Sequence, residues 1–173
     1  TIGNTRILRL WDQKEPDNGT SLHGYGVIWD SSAINNNATN HVDPFVYLAH
    51  GSHVTGIAAG NGLEVNNYAG VAPDADIVVV SVDFSSNQNT ILDAVDYIYK
   101  VADSLGMSCV INVSLGGYAG SHDGTDPSAV LIDSLINAKS GRAFVCAAGN
   151  AGAYNFHLQH NVNSDTTFTW FQY

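Results

Sequence analysis

Three short, largely apolar runs, separated by two stretches of helical periodicity, limit this chain to few folds. Residues 76–82 are continuously β-branched from Ile77 to Val80. A run that does not alternate is the pattern of a strand with apolar neighbours on both faces. Residues 108–115, around Val110 and Ile111, and residues 142–148, around Phe144 and Val145, repeat it. Between the first two runs, Ile91, Val95, Ile98 and Ala102 share one helical face. Asn89 or Thr90 can cap that helix, and Gly106 fits its stop. Between the last two runs, Asp126 and Pro127 form a cap and first turn. Leu131, Leu135 and Ala138 follow on one face, with a stop near Gly141. Strand, helix, strand, helix, strand with short connections predicts an α/β fold: three αβα layers, a mostly parallel sheet and right-handed crossovers. In such sheets, function gathers at the carboxyl ends of the strands.

The flanks are less regular. Residues 6–11 read as a strand. Residues 13–47 are rich in Gly, Asn, Asp and Ser and read as loop with room for a short helix. Residues 50–60 are small and apolar and fit a closely packed helix. Near the end, residues 166–171 alternate like an antiparallel strand. The expected organisation is an α/β unit over residues 1–152 and the start of an inserted β-rich segment over 153–173. Both ends are expected to fall inside a longer protein, since the chain opens on Thr1-Ile2-Gly3-Asn4 with no initiator Met and no leader pattern.

Charge narrows the partners. The net charge is -10, with six Lys and Arg in 173 residues. Nucleic acid and anionic lipid both require clustered cations, so neither is expected as a partner. No apolar run approaches the roughly 18–20 residues that span a bilayer. Cys109 and Cys146 sit in apolar runs and read as buried free thiols rather than a disulfide.

Three segments carry chemistry. His50-Gly51-Ser52-His53-Val54-Thr55-Gly56 starts a helix, where a neutral imidazole is held rigidly yet open to a cleft and can move a proton. Asn112-Val113-Ser114-Leu115-Gly116-Gly117 ends a strand in two glycines, an edge able to pair with an extended peptide. Ala147-Ala148-Gly149-Asn150-Ala151-Gly152 ends another strand in an amide that can donate to a developing oxyanion.

Together these segments resemble the subtilisin-like (S8) serine proteases. Residues 50–56 are similar to the family's H-G-T-H-V-A-G, with Ser52 for Thr and Thr55 for Ala. Gly70-Val71-Ala72-Pro73 matches G-V-A-P, residues 112–117 resemble N-M-S-L-G-G, and residues 147–152 resemble A-A-G-N-x-G. The motifs stand in the family's order. The resemblance implies a secreted or cell-envelope bacterial endopeptidase acting on peptide or protein substrates. It makes His50 the general base and Asn150 the oxyanion donor. Ser114, Leu115, Gly116 and Gly117 would line the substrate strand and main specificity pocket, and His53 would be structural. Two family motifs are absent: D-[ST]-G, which supplies the carboxylate that orients the histidine, and G-T-S-M-A, which supplies the nucleophile. Residues 6–13 look like the segment that follows the catalytic Asp in members with long insertions. The implied chain is therefore an internal piece, inert by itself.

Competing readings are weaker. Asp12 and Asp30 follow apolar runs but lack the tight-turn residues of the Asp motif, so they read as turn residues. Ser121-His122-Asp123 spells the triad in letters only, because adjacent side chains do not converge. His50 and His53 share a helical face but lack the Glu and third ligand of a zinc site. No cofactor is expected, with one alternative: Glu64, Asn66 and Asn67 lie where relatives bind calcium, in a stretch that otherwise reads as a polar loop. A non-catalytic peptide-binding module is the rival reading of the whole. An α/β-hydrolase is disfavoured because no G-x-S-x-G elbow is present.

Overall fold

The computed structural model describes residues 3–42, 49–86, 89–118, 120–154 and 161. The elements, in chain order, are β1 (Ile7–Asp12), β2 (Val27–Asp30), α1 (Ser31–Asn35), α2 (His50–Ala59), β3 (Ile77–Ser81), α3 (Thr90–Leu105), β4 (Cys109–Val113), α4 (Pro127–Asn137) and β5 (Arg142–Cys146). The α/β class stands as read from the sequence, as do the helix between β3 and β4 and the helix between β4 and β5. The alternating stretch at 166–171 lies outside the described residues.

The strands form two sheets among the described residues. β1 is central in the first, antiparallel to β2 and parallel to β3; β4 and β5 pair in parallel in the second. β3 and β4 thus each keep an unpaired edge there. The runs read as buried on both faces are also less covered than expected. In β4, Ile111 is 5% exposed while its neighbour Val110 is 70% exposed. Alternate residues of a strand point to opposite faces. One face of the β4–β5 pair is therefore packed and the other is open.

The packed face lies against α3 and α4. Val95, Tyr99 and Ile111 form its buried centre, ringed by Ile98, Cys109, Val113, Leu135, Ile136 and Phe144. In α4 it is Leu135 and Ile136 that turn inward. Leu131 and Ala138, expected on the same face, are exposed. α3 ends as predicted, with Gly106 in the left-handed region (φ 67°). Asp126 caps α4 by accepting from Ser128 N and Ala129 N, both at 3.1 Å. Arg142 pins the start of β5: its guanidinium lies 4.6 Å from the Tyr99 ring centroid and donates to Asp103 at 2.6 Å.

The first sheet has an aromatic core. Trp11 is fully buried, stacked on His23 at 5.1 Å and edge-on to Tyr97 at 5.2 Å. Its indole N–H donates to Tyr25 O at 3.2 Å. Gly26, at φ 72°, leads into β2; a side chain there would collide with the Asp12 carbonyl and the Trp11 indole. Tyr97 brings α3 against this core, and the Gln13 amide donates to Thr90 O at 2.8 Å, so α3 joins the two sheets.

Cys109 and Cys146 are free. Cys109 is half-buried, and burial pushes its thiol pKa up. Cys146 is exposed, against expectation: it ends β5, where no element among the described residues covers it. The register pairs Cys109 with Arg142 and Cys146 with Val113. The cysteines therefore lie at opposite ends of the ladder, about 13 Å apart at roughly 3.3 Å per residue. That is beyond disulfide reach.

Candidate active site

Three chain segments meet at the carboxyl edge of the second sheet. β4 delivers Ser114, Leu115, Gly116 and Gly117, and β5 delivers Gly149 and Asn150. Because the two strands run parallel and in register, both segments leave the sheet on the same side. The ladder continues one step past the strands, with Ala147 N donating to Val113 O at 3.1 Å. A Cβ on Gly116 would lie 3.8 Å from Gly149 Cα. The two glycine-bearing ends therefore run side by side, within van der Waals reach of each other.

The third segment is the start of α2. His50 is its first residue, exposed, and its Nε2 lies 3.1 Å from Ser114 O. A carbonyl can only accept, so in this contact the ring carries its proton on Nε2. Ala49 precedes it in the left-handed region (φ 51°), which turns the chain sharply into the helix. α2 stands on the open side of β4, opposite α3 and α4. A cavity of about 260 Å³ separates them, lined by Val54, Ile57, Ala58, Val71, Asn112 and Ser114. Within β4's end, Asn112 Nδ2 donates to Ser114 Oγ at 3.0 Å.

His53, one turn on from His50, faces a separate opening lined by Gly56, Ile57, Tyr68 and Gly70. The two histidines do not converge on one point. Among the described residues no three His, Cys, Asp or Glu side chains gather as a metal site. Glu64, Asn66 and Asn67 are exposed, and the Asn67 side-chain oxygen accepts from Tyr68 N at 2.8 Å.

Asp12 is neither a surface residue nor a partner of His50. It is 5% exposed at the end of β1, and its carboxylate lies 2.6 Å from His41 Nδ1. Burial alone would raise its pKa. The His41 hydrogen bond, the Lys14 N–H at 3.1 Å and the nearby positive charge outweigh burial and hold it below the ordinary value. Asp30 caps α1, accepting from Ala33 N at 2.8 Å. In the Ser121-His122-Asp123 stretch, the His122 ring donates to Tyr118 O at 2.9 Å, away from its neighbours. Asp123 accepts from Thr125 N and Oγ1. Hydrogen bonds from Ser121 and Thr125 lower the Asp123 pKa to about 2.

Two contacts had no sequence signal. One is the Asp12–His41 pair. The other is Tyr118, whose phenol oxygen accepts from both Asn150 N at 2.8 Å and Ala151 N at 2.9 Å.

Comparison with known proteins identifies the class. Residues 19–170 match the subtilase family, peptidase S8. The chain belongs to that family. It is 32% identical over 145 residues to a thermophilic serine proteinase of a Bacillus species, covering 82% of this chain and 31% of that protein. It is 41% identical over 83 residues to pyrolysin of Pyrococcus furiosus, covering 48% and 6% respectively. Against a subtilisin of another Bacillus strain it is 36% identical over 110 residues, covering 61% and 24%. Its fold matches that of the CspB protease of Clostridium perfringens with a TM-score of 0.66 and 28% identity, over 87% of this chain and 32% of that one. The chain thus spans about a third or less of the length of each of these relatives.

Proposed function

We propose that this chain is the central part of a serine endopeptidase, contributing the general base His50 and the oxyanion donor Asn150 to hydrolysis of peptide or protein substrates. The observation that carries this reading is the meeting of His50 with Ser114 O at 3.1 Å across 64 residues of sequence, beside the paired ends of β4 and β5. An extended substrate lying along Ser114, Leu115, Gly116 and Gly117 would have its scissile carbonyl between the imidazole and Asn150. A serine attacks that carbonyl, His50 takes its proton and returns it to the leaving amine, and Asn150 donates to the oxyanion.

Two features support the idea that further sequence completes the site. First, a ring that donates from Nε2 cannot accept a serine proton there. A carboxylate on Nδ1 would move the proton to that nitrogen and free Nε2, which is the role of the orienting Asp in a triad. Asp12 is already committed to His41. Second, the open side is apolar: Val110 is 70% exposed, Val145 52%, Ile57 60% and Val71 89%. A surface of this kind needs cover in a soluble protein. Flanking chain, including a strand between the free edges of β3 and β4, would supply it. Export to the cell envelope or beyond belongs to the same proposal.

The test is hydrolysis of a chromogenic peptide by the whole protein that carries this segment. Turnover is expected, and it should stop on treatment with a serine-directed fluorophosphonate. The 173-residue chain alone should show none. Peptide binding by the whole protein without cleavage would replace this reading with that of a peptide-binding pseudoenzyme.

A further inference from the structure

We propose that Tyr118 is a positioning residue that fixes the backbone on either side of the Asn150 side chain. The inference rests on the proposed role of Asn150 and deepens it. An oxyanion donor acts only if it is aimed before charge develops, because reorganising it during the reaction forfeits the gain. Asn150 sits in a poor place for such rigidity. It is exposed, it follows β5 by several residues, and Gly149 immediately before it carries the flexibility of a positive φ of 86°.

Tyr118 answers that problem. Its phenol oxygen accepts from two successive backbone N–H groups, Asn150 N at 2.8 Å and Ala151 N at 2.9 Å. Two bonds to adjacent peptide units restrict both peptides that flank the Asn150 Cα. Gly149 makes the approach possible, since a Cβ there would overlap the phenol oxygen. The tyrosine is itself held: the His122 ring donates to its carbonyl at 2.9 Å. Tyr118 follows Gly117 directly, so this bond pair also ties the substrate-strand end of β4 to the oxyanion end of β5. Their spacing is then set by a side chain as well as by the sheet. Misplacement by a fraction of an ångström lowers turnover more than binding, so the effect belongs in kcat.

A double-mutant cycle in the whole protein tests this, with kcat and KM measured for Tyr118→Phe, Asn150→Ala and the pair. Phenylalanine keeps the ring and removes only the acceptor. Asn150→Ala should lower kcat about 10²–10³-fold, a magnitude taken from subtilisin itself. Tyr118→Phe should lower kcat about tenfold with KM within about twofold. In the Asn150→Ala background the same change should alter kcat by less than about twofold, because no amide remains to be aimed. A Tyr118→Phe loss of equal size in both backgrounds, or no loss at all, overturns the inference while leaving the role of Asn150 intact. Failure of Asn150→Ala to lower kcat overturns the reading beneath it. Amide exchange in the unmutated protein gives a check that needs no variant. The Asn150 and Ala151 amide protons should be protected relative to Gly152, and unprotected exchange at both contradicts the proposed tether.

Discussion

The sheet built on β1 and the sheet built on β4 follow the same local rules and end in opposite states. Around β1 the chain covers itself. Trp11 is fully buried among His23, Tyr25 and Tyr97, and Asp12 and Gln13, though polar, are 5% and 4% exposed with partners in place. Around β4 one face is packed and the other carries Val110 and Asn112 in the open. The candidate site lies on the second sheet. Residues of this chain enclose the core of the first sheet, whereas the second keeps one largely apolar face open among the described residues. The Trp11 core and the candidate site thus lie on different sheets, which makes them separable by mutation.

The largest separable effect should be at Trp11. Trp11→Ala in the whole protein should cost about 3–5 kcal/mol, the usual range for emptying a large aromatic site. It should leave kcat per folded molecule unchanged. Urea unfolding and active-site titration measure the two quantities. A fall in kcat with normal stability would erase the distinction between the halves.

Asp12→Asn comes next. Losing a buried charge-assisted hydrogen bond to His41 should cost about 1.5–3 kcal/mol at neutral pH. The carboxyl pKa is lower in the folded chain than its ordinary 3.8. Its contribution is therefore full above that value and is lost as pH falls through the folded pKa. Stability curves of the two proteins should converge in acid. A gap that stays constant below pH 3.8 would assign the effect to packing instead.

The smallest pair sharpens the claim about cover. Val110→Thr should cost about 1–3 kcal/mol in the whole protein if flanking chain buries that face, since the hydroxyl would be taken from water. Leu22, 82% exposed on the closed half, should tolerate Leu22→Thr within about 0.5 kcal/mol. Equal and small effects at both positions would mean that the β4 face stays open.

Much of this architecture was legible because it rests on local patterns. Apolar runs and helical periodicity located β3, α3, β4, α4 and β5, with Gly106 and Asp126 marking ends through backbone geometry that is local to a few residues. The candidate segments are legible for a related reason: His50 starts α2, and Ser114 and Asn150 lie in the stretches that follow β4 and β5, where small residues and glycines concentrate. What the sequence could not show was long-range. Asp12 finds His41, and Tyr118 finds Asn150, through contacts that no periodicity encodes. The split into two sheets was also hidden, because a β-branched run such as Ile77–Ser81 has the same pattern whichever strand it pairs with. The inward face of α4 is not encoded locally, because Leu131 and Ile136 are equally apolar and only the packing against the sheet decides between them.

The measurement that bears most directly on the account is turnover by His50→Ala in the whole protein. With His50 as general base, kcat should fall about 10⁶-fold, the scale known for loss of the catalytic histidine in subtilisin, with the unfolding midpoint unchanged. Activity retained to within about tenfold of the unmutated protein would contradict it, and would remove His50 and the β4–β5 edge from the chemistry.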